Sequence, residues 1–491
     1  MIRLVVLPIF ILQLCSHLFA QGGGSALRFD GSDDIVICGA DSSLNIQEML
    51  TIEAWIKGSL SQSTYARIVD KFEFFQHQGF SLVRYPELNS CMLDFYATDD
   101  TKHTHGGTTS TFDEKWHYVA ATFDSINIKI YIDGRLEAHA VLPGKKSIQL
   151  CPKYLSIGNG FDGATWFPYS GIIDEVRLWN TSLDSVTIKN WMHKTLSPDH
   201  PGSSNLVGYW KFDEDEGSVA GDSSGTQNHG MLTNMDTTSS WINSTVPIAG
   251  SFASQLDDVS AVWTSVDSNF STIFSINDTN ITGDACIIFG HNGEDLTWNS
   301  TDIPENFDIL YRINRVWHAE VYDTISGYAI FDVSDLDISD GNGLKLLIDA
   351  DGIFSDADTA HGIYDSTQEL FIVSNQNFQH GYHYTLGTEE QLVSHICNPP
   401  LILPQQLILT QNYPNPFNPE SQFTYSLPFA GPVEISLYNV RGQKVKTLFK
   451  GYNSSGTHSM KITGTHLSSG VYIYELKTSI YTIRKKCILL R

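Results

Sequence analysis

Basic residues are scarce in this chain: 30 Lys and Arg stand against 55 Asp and Glu, a formal net charge of −25 over 491 residues. An acidic surface repels phosphate backbones, which excludes nucleic acid as a partner. Cysteine is scarce as well, seven in all, and no two stand in a C-x-x-C spacing, which excludes a zinc ribbon or a dithiol redox pair. Beyond the N-terminal segment no apolar stretch is long enough to cross a bilayer as a helix, so no transmembrane segment is expected in the mature chain. There is no long internal repeat and no low-complexity tract, which sets repeat arrays aside.

What is present is unevenly spread. Residues 251–400 hold 24 acids and 3 bases, whereas residues 401–491 hold 3 acids and 10 bases. The acidic middle suits divalent cations and salty media. At the start, Met1-Ile2-Arg3 and the apolar run Leu4 to Leu14 read as a signal peptide, residues 1–20, with cleavage after Ala20. Cys15 raises a lipoprotein alternative, but Leu14 stands where a small residue is required. Six cysteines remain: Cys38, Cys91, Cys151, Cys286, Cys397 and Cys487. Export permits disulfide bonds; the first three allow at most one pair among themselves, and the sequence does not choose it.

Short strands dominate. Ile52-Ala54-Ile56 alternates with Thr51-Glu53-Trp55-Lys57, and Ile126-Ile128-Ile130-Ile132 alternates with Asn127-Lys129-Tyr131, the period of half-buried antiparallel strands. Asp133-Gly134 predicts a tight hairpin with positive φ. One helix is expected after an N-cap at Ser182, over Leu183 to Met192. The fold class is therefore all-β. Three units are expected: residues 24–250, residues 251–395 and, after a proline-containing linker at 396–404, residues 405–491.

Five segments of the first unit occur in a recognisable order: Ala26-Leu27-Arg28-Phe29-Asp30-Gly31, Leu50-Thr51-Ile52-Glu53-Ala54-Trp55, Trp116-His117-Tyr118-Val119, Ile130-Tyr131-Ile132-Asp133-Gly134 and Gly171-Ile172-Ile173-Asp174-Glu175-Val176. Together they resemble the laminin-G-like, concanavalin-type jelly roll. In relatives the segment Leu206-Val207-Gly208-Tyr209-Trp210 often precedes the domain; here it follows, as a circular permutation would place it. The middle unit resembles a little-characterised β-sandwich module that carries no activity with it. The last unit opens with Asn412-Tyr413-Pro414-Asn415-Pro416-Phe417-Asn418-Pro419 and ends in Arg484-Lys485-Lys486. It is similar to the sorting domain of the type IX secretion system, which implies a small Ig-like sandwich, recognition by the type IX translocon, and a secreted or outer-membrane surface location in a Gram-negative bacterium.

The site residues follow. Asp174 shares the side of Val176 and Leu178 if its strand is regular, and a buried carboxylate must be paired or bind a metal. Calcium held by Asp30, Asp33 and Asp174 is one expectation; an ion pair from Asp174 to Arg28 or Arg177 is the alternative. Asp349, Asp351 and Asp356 flank a glycine turn and form a second candidate for a hard cation, against a plain solvated hairpin. Trp166, Phe167 and Tyr169 precede a strand and offer a stacking platform for sugar rings, against a loop folded over the sandwich edge. Gly221-Asp222-Ser223-Ser224-Gly225 fits G-x-S-x-G but lacks the strand and helix a nucleophile elbow needs. Asp213-Glu214-Asp215-Glu216 reads as a turn rather than a glycosidase triad, and His103-Thr104-His105 as a loop. The resulting expectation is an exported, non-enzymatic protein that binds a glycan or an extracellular protein. The alternatives are a polysaccharide-degrading enzyme and a structural adhesin.

Overall fold

The computed structural model describes residues 24–161, 166–250, 256–263, 266–267, 273–277, 281–305, 307–336, 338, 341–390, 408–427, 431–453, 456–465, 467–478 and 482–490. The signal peptide expected at 1–20 and the linker expected at 396–404, with Cys397, lie outside the described residues. The chain divides into two compact units, Met1–Leu392 and Val393–Arg491.

The first unit begins with a jelly roll of two eight-stranded sheets. One runs Arg135–Val141, Asn127–Ile132, Trp116–Phe123, Leu50–Gly58, Ser170–Trp179, Ser25–Asp30 and Trp241–Asn243. Leu206–Trp210 also pairs with Ser170–Trp179, past the end of Ser25–Asp30. The segment displaced in sequence thus completes the same sheet, and Gly230–Thr233 extends the opposite one beside Ile35–Ile37. Between the sheets lie Leu27, Ile52, Ala54, Ile56, Val119, Ile130, Ile173, Val176 and Leu178, all buried. Asp133 and Gly134 take φ of 50° and 71°, as the hairpin requires.

The outer face of this first sheet is covered too. Trp55, Tyr118, Tyr131 and Trp179 pack under the helix Ser185–Trp191 and against Leu256, Val259, Ala261, Trp263 and Ile288 of the second sandwich. Asp184, not Ser182, caps the helix, accepting from the Thr187 amide at 2.7 Å. Glu53 and Glu175 are buried on this face and hydrogen-bonded there. Glu53 accepts from Tyr118 Oη and Trp179 Nε1, and Glu175 accepts from Tyr209 Oη and Arg177. Taking Arg177 from this set would strand a buried charge, a cost of about 3–5 kcal/mol.

The second sandwich sets a nine-stranded sheet against a four-stranded one, with Trp317, Phe274, Phe289 and Phe331 at its centre. The second unit pairs a three-stranded with a four-stranded sheet. Its opening motif is pinned by Asn412, whose side-chain amide donates to the Pro414 carbonyl at 3.0 Å and to Ser421 Oγ at 2.8 Å, and by Tyr474, whose hydroxyl donates to the Thr410 carbonyl at 2.7 Å.

The five described cysteines are buried free thiols, so Cys38, Cys91 and Cys151 do not form the pair that export would permit among them. Burial pushes the Cys91 and Cys487 thiols up to about 12. Cys487 therefore fills an apolar core position rather than offering a reactive thiolate.

Candidate functional site

The strand Ser25–Asp30 ends in a turn that folds three carboxylates together. Gly31 sits there at φ 81°, and a Cβ on it would lie 2.7 Å from the Ser170 Cβ, so only glycine fits. The Asp30 amide donates to Asp34 at 2.8 Å and the Ser32 amide to Asp30 at 2.7 Å. One carboxylate oxygen from each of Asp30, Asp33 and Asp34 lies within 4.8 Å of the others. Burial raises the Asp34 pKa; the Asp30 amide opposes that, and the Asp30 and Asp33 charges add to it. Three mutually repelling carboxylates with unbonded oxygens fit a hard oxygen-seeking cation.

Asp174 is not among them. A bulge interrupts its strand between Asp174 and Arg177, with Glu175 at φ 51°. The bulge puts Ile173, rather than Asp174, on the core side with Val176 and Leu178. Asp30 pairs with Ser170, so Asp174 lies four residues along the strand, roughly 13 Å away. There it accepts from the Ser244 hydroxyl and, at 2.8 Å, from the Glu175 amide. Burial, and then the Glu175 charge, holds its pKa well above the usual carboxylate range. Arg177 pairs with Glu175 at 2.8 Å instead.

A cavity of about 290 Å³ opens beside the acidic turn, near the lower end of small-ligand pockets, about 300–1,000 Å³. Arg28, Ile172 and Lys57 form a row across three neighbouring strands on its floor, and Asp30, Ser59 and Glu114 complete its polar lining. Arg28 is exposed and has no ion pair among the described residues. Lys57 is held at 2.5 Å by Asp284 of the second sandwich. A guanidinium, an aliphatic floor and flanking carboxylates can together hold a polyhydroxylated ring: the charged groups bond hydroxyls and the floor takes a C–H face. The sequence hides this set because its members come from strands that are distant along the chain; only the alternation of Arg28 with Phe29 and of Lys57 with Ile56 marked them as outward-facing.

The aromatic trio is split. Tyr169 is wholly buried, against Phe29 and Phe112, and donates to the Ile172 carbonyl at 3.1 Å; it is a core residue and not a platform. Phe167 packs on the Arg67 guanidinium, 5.1 Å from its centroid. Trp166 is 48% exposed beside Phe161. Nor do Asp349, Asp351 and Asp356 converge: among the described residues only the Asp30 turn gathers three such ligands. Asp349 instead closes its own turn, accepting from the amides of Asp351, Gly352 and Ile353, while Asp351 accepts from Ile353 at 2.9 Å. Asp222, within the G-x-S-x-G run, accepts from the Tyr209, Ser224 and Asn228 amides and serves the loop. Asp213, Glu214, Asp215 and Glu216 are all exposed, as the turn reading expects; partial desolvation, then the Glu175 charge, raises Asp213 to about 6. His103 lies on the strand Lys102–Gly106, its ring 5.0 Å from Phe95.

Residues 30–189 match the model of the concanavalin A-like lectin/glucanases superfamily, and residues 411–490 match that of the secretion system C-terminal sorting domain. The latter indicates a secreted or cell-surface protein. No curated protein matches the chain. Among solved structures, a candidate carbohydrate-binding protein of Bacteroides ovatus is 20% identical over 46% of this chain and 61% of its own, less than two thirds, with a TM-score of 0.35. The CBM40 of a Ruminococcus gnavus sialidase bound to α2,3-sialyllactose is 16% identical over 34% and 96%, TM-score 0.27. Domains LG4-5 of the mouse laminin α1 chain are 12% identical over 77% and 86%, TM-score 0.26.

Proposed function

We propose that this exported chain, concanavalin-like at one end and carrying a type IX sorting domain at the other, binds a glycan in the cavity floored by Arg28, Ile172 and Lys57. That row, placed beside the Asp30 turn, is the observation that carries the reading. Asp30, Asp33 and Asp34, with backbone carbonyls, would hold a calcium ion. Bound calcium would supply positive charge that fixes the turn and, through Asp30, one wall of the cavity. The role we propose is binding: Asp30 and Glu114 in the cavity lining are read as groups that bond sugar hydroxyls, not as a catalytic pair, and the strand carboxylates Glu53, Asp174 and Glu175 are buried away from it. The sorting domain delivers the protein through the type IX translocon and plays no part in recognition of the sugar.

The test is a glycan array probed with the exported chain, with and without EDTA, followed by titration of the best ligand against Arg28→Ala. Losing a charge-assisted bond of about 1.5–3 kcal/mol predicts a drop in affinity of about 10- to 150-fold. An array with no binding, or an Arg28→Ala variant that binds as the parent does, refutes the reading. Binding that survives EDTA while Asp30→Asn leaves affinity unchanged refutes the calcium part alone.

A further inference from the structure

The second sandwich carries a pair of histidines that no motif in the sequence announces. His318 lies on the strand Trp317–Tyr322 and His383 on its neighbour Tyr382–Thr388, and the two are directly opposed across the ladder. Asp349, on Leu344–Asp349, is the direct partner of His383 on the other side. One row across three adjacent strands therefore reads Asp349, His383, His318. Residues opposed in this way project from the same face of a sheet, with Cβ atoms about 5 Å apart.

The ring nitrogens His318 Nδ1 and His383 Nε2 stand 3.3 Å apart, with centroids at 4.8 Å and planes tilted by 60°. Two nitrogens bound to one zinc ion at about 2.05 Å and a tetrahedral angle lie about 3.3 Å from each other. Without metal, the same separation lets one ring donate a hydrogen bond to the other, so a bound ion would replace that proton between the two nitrogens. The turn after Asp349 wraps the same imidazole: a Cβ on Gly352 would sit 3.5 Å from His383 Nε2. That brings the Asp349–Asp351 turn against the ring, while Asp349 commits one oxygen to the amides of its own turn.

We propose that His318 and His383 are two ligands of a site for a borderline divalent ion of the zinc class, with the carboxylates of Asp349 and Asp351 supplying the adjacent negative charge. Imidazole pairs favour such ions over calcium, whose preference is for oxygen. The site is distinct from the Asp30 turn in both place and metal, and it does not depend on glycan binding. Bound metal would tie the strands Trp317–Tyr322 and Tyr382–Thr388 together through side chains as well as through the backbone ladder.

The experiment is titration of the untagged exported chain with zinc chloride after EDTA treatment and dialysis, read by calorimetry and by the metal content of the protein peak. Cobalt(II) serves as a parallel probe, because its visible bands report coordination number. One equivalent of zinc is expected, with four-coordinate bands for cobalt. Affinity should fall by at least 30-fold in His318→Gln and in His383→Gln, and remain unchanged in Asp30→Asn. Circular dichroism and the melting temperature of the metal-free His383→Gln variant keep loss of metal separate from loss of fold. Absence of stoichiometric zinc in the parent refutes the site. So does a correctly folded His383→Gln variant that retains the parent's affinity.

Discussion

His117 offers the sharpest quantitative check on the packing around the cavity. Its Nδ1 faces Asp133 Oδ2 at 2.9 Å and its Nε2 faces Asp113 Oδ1 at 3.2 Å. Asp113 immediately precedes the cavity residue Glu114, and the Glu114 amide is itself tied to the Gly58 carbonyl at 2.9 Å. Burial works against the imidazolium, but the two carboxylates outweigh it and raise the His117 pKa to about 9. An unfolded histidine titrates near about 6.5. The folded value is the higher, so the stabilisation is complete below pH about 6.5 and disappears as pH rises through about 9. At about 1.4 kcal/mol per tenfold change in proton affinity, the gap corresponds to roughly 3 kcal/mol. Urea unfolding of the parent and of His117→Gln, measured from pH 6 to pH 10, should show their stability difference shrinking by about that amount between the two ends. Parallel curves across the range would show that the imidazole is neutral in the folded protein and that the two carboxylates do not hold its charge.

Three further outcomes follow from the same structure. Asp174→Asn removes a buried acid whose raised pKa makes it a growing liability as pH rises above the unfolded value of about 3.9. The variant should therefore gain on the parent between pH 4 and pH 7 in thermal melts, with calcium affinity unchanged; a loss of calcium affinity would restore the ligand role this structure denies to Asp174. Asp284→Asn frees Lys57 in the cavity and should shift array preference toward acidic glycans without moving the melting temperature; an unchanged preference would show that the ion pair does not bear on the site. Trp263→Ala empties a position packed between Trp55 and His193, with ring centroids at 5.5 and 5.4 Å, and loses the bond from its Nε1 to the Trp116 carbonyl at 2.9 Å. The cost should be about 3–5 kcal/mol, and calorimetry should show the first two sandwiches melting apart; a single unshifted transition would refute the shared core.

What the sequence made legible was local. Period-two alternation identified the strands and one of their faces, and Ile128, Ile130 and Ile132 are buried while Asn127 and Lys129 are half-exposed. Asp133-Gly134 encoded its hairpin because only two residues are involved. Asp30 and Asp33 were readable for the same reason: their turn is short and its glycine obligatory. Asp174 was misread because the bulge is set by a glutamate at positive φ, a residue type that gives no such warning. The polar stripe Thr51-Glu53-Trp55 read as solvent-facing, yet all three are buried, because the covering layer comes from the helix Ser185–Trp191 and from residues 246–249 and 256–263. Nothing local marks a strand face that a distant segment will cover, although the tryptophan was a hint. Arg28, Lys57 and Ile172, like His318 and His383, become neighbours only through register, which sequence pattern does not fix across such separations.

The same buried stripe explains why the acidic second sandwich belongs to the binding reading. Trp55 and Lys57 are two residues apart on one strand and project from the same face. Trp55 is clamped between His193 and Trp263, donating through Nε1 to the Met192 carbonyl at 2.9 Å, and Lys57 is clamped by Asp284. The strand that carries the cavity floor is therefore held by the second sandwich at two successive outward positions. A ligand that displaces Lys57 must break a contact with Asp284, and a change in the second sandwich acts on the cavity through that contact. Removing the second sandwich would bare Trp55, Tyr118 and their buried neighbours, an apolar surface that a secreted monomer does not leave open to water. On the proposed reading, the smallest piece of this chain suited to measuring glycan binding is thus the pair of sandwiches; the sorting domain is a separate unit with its own core.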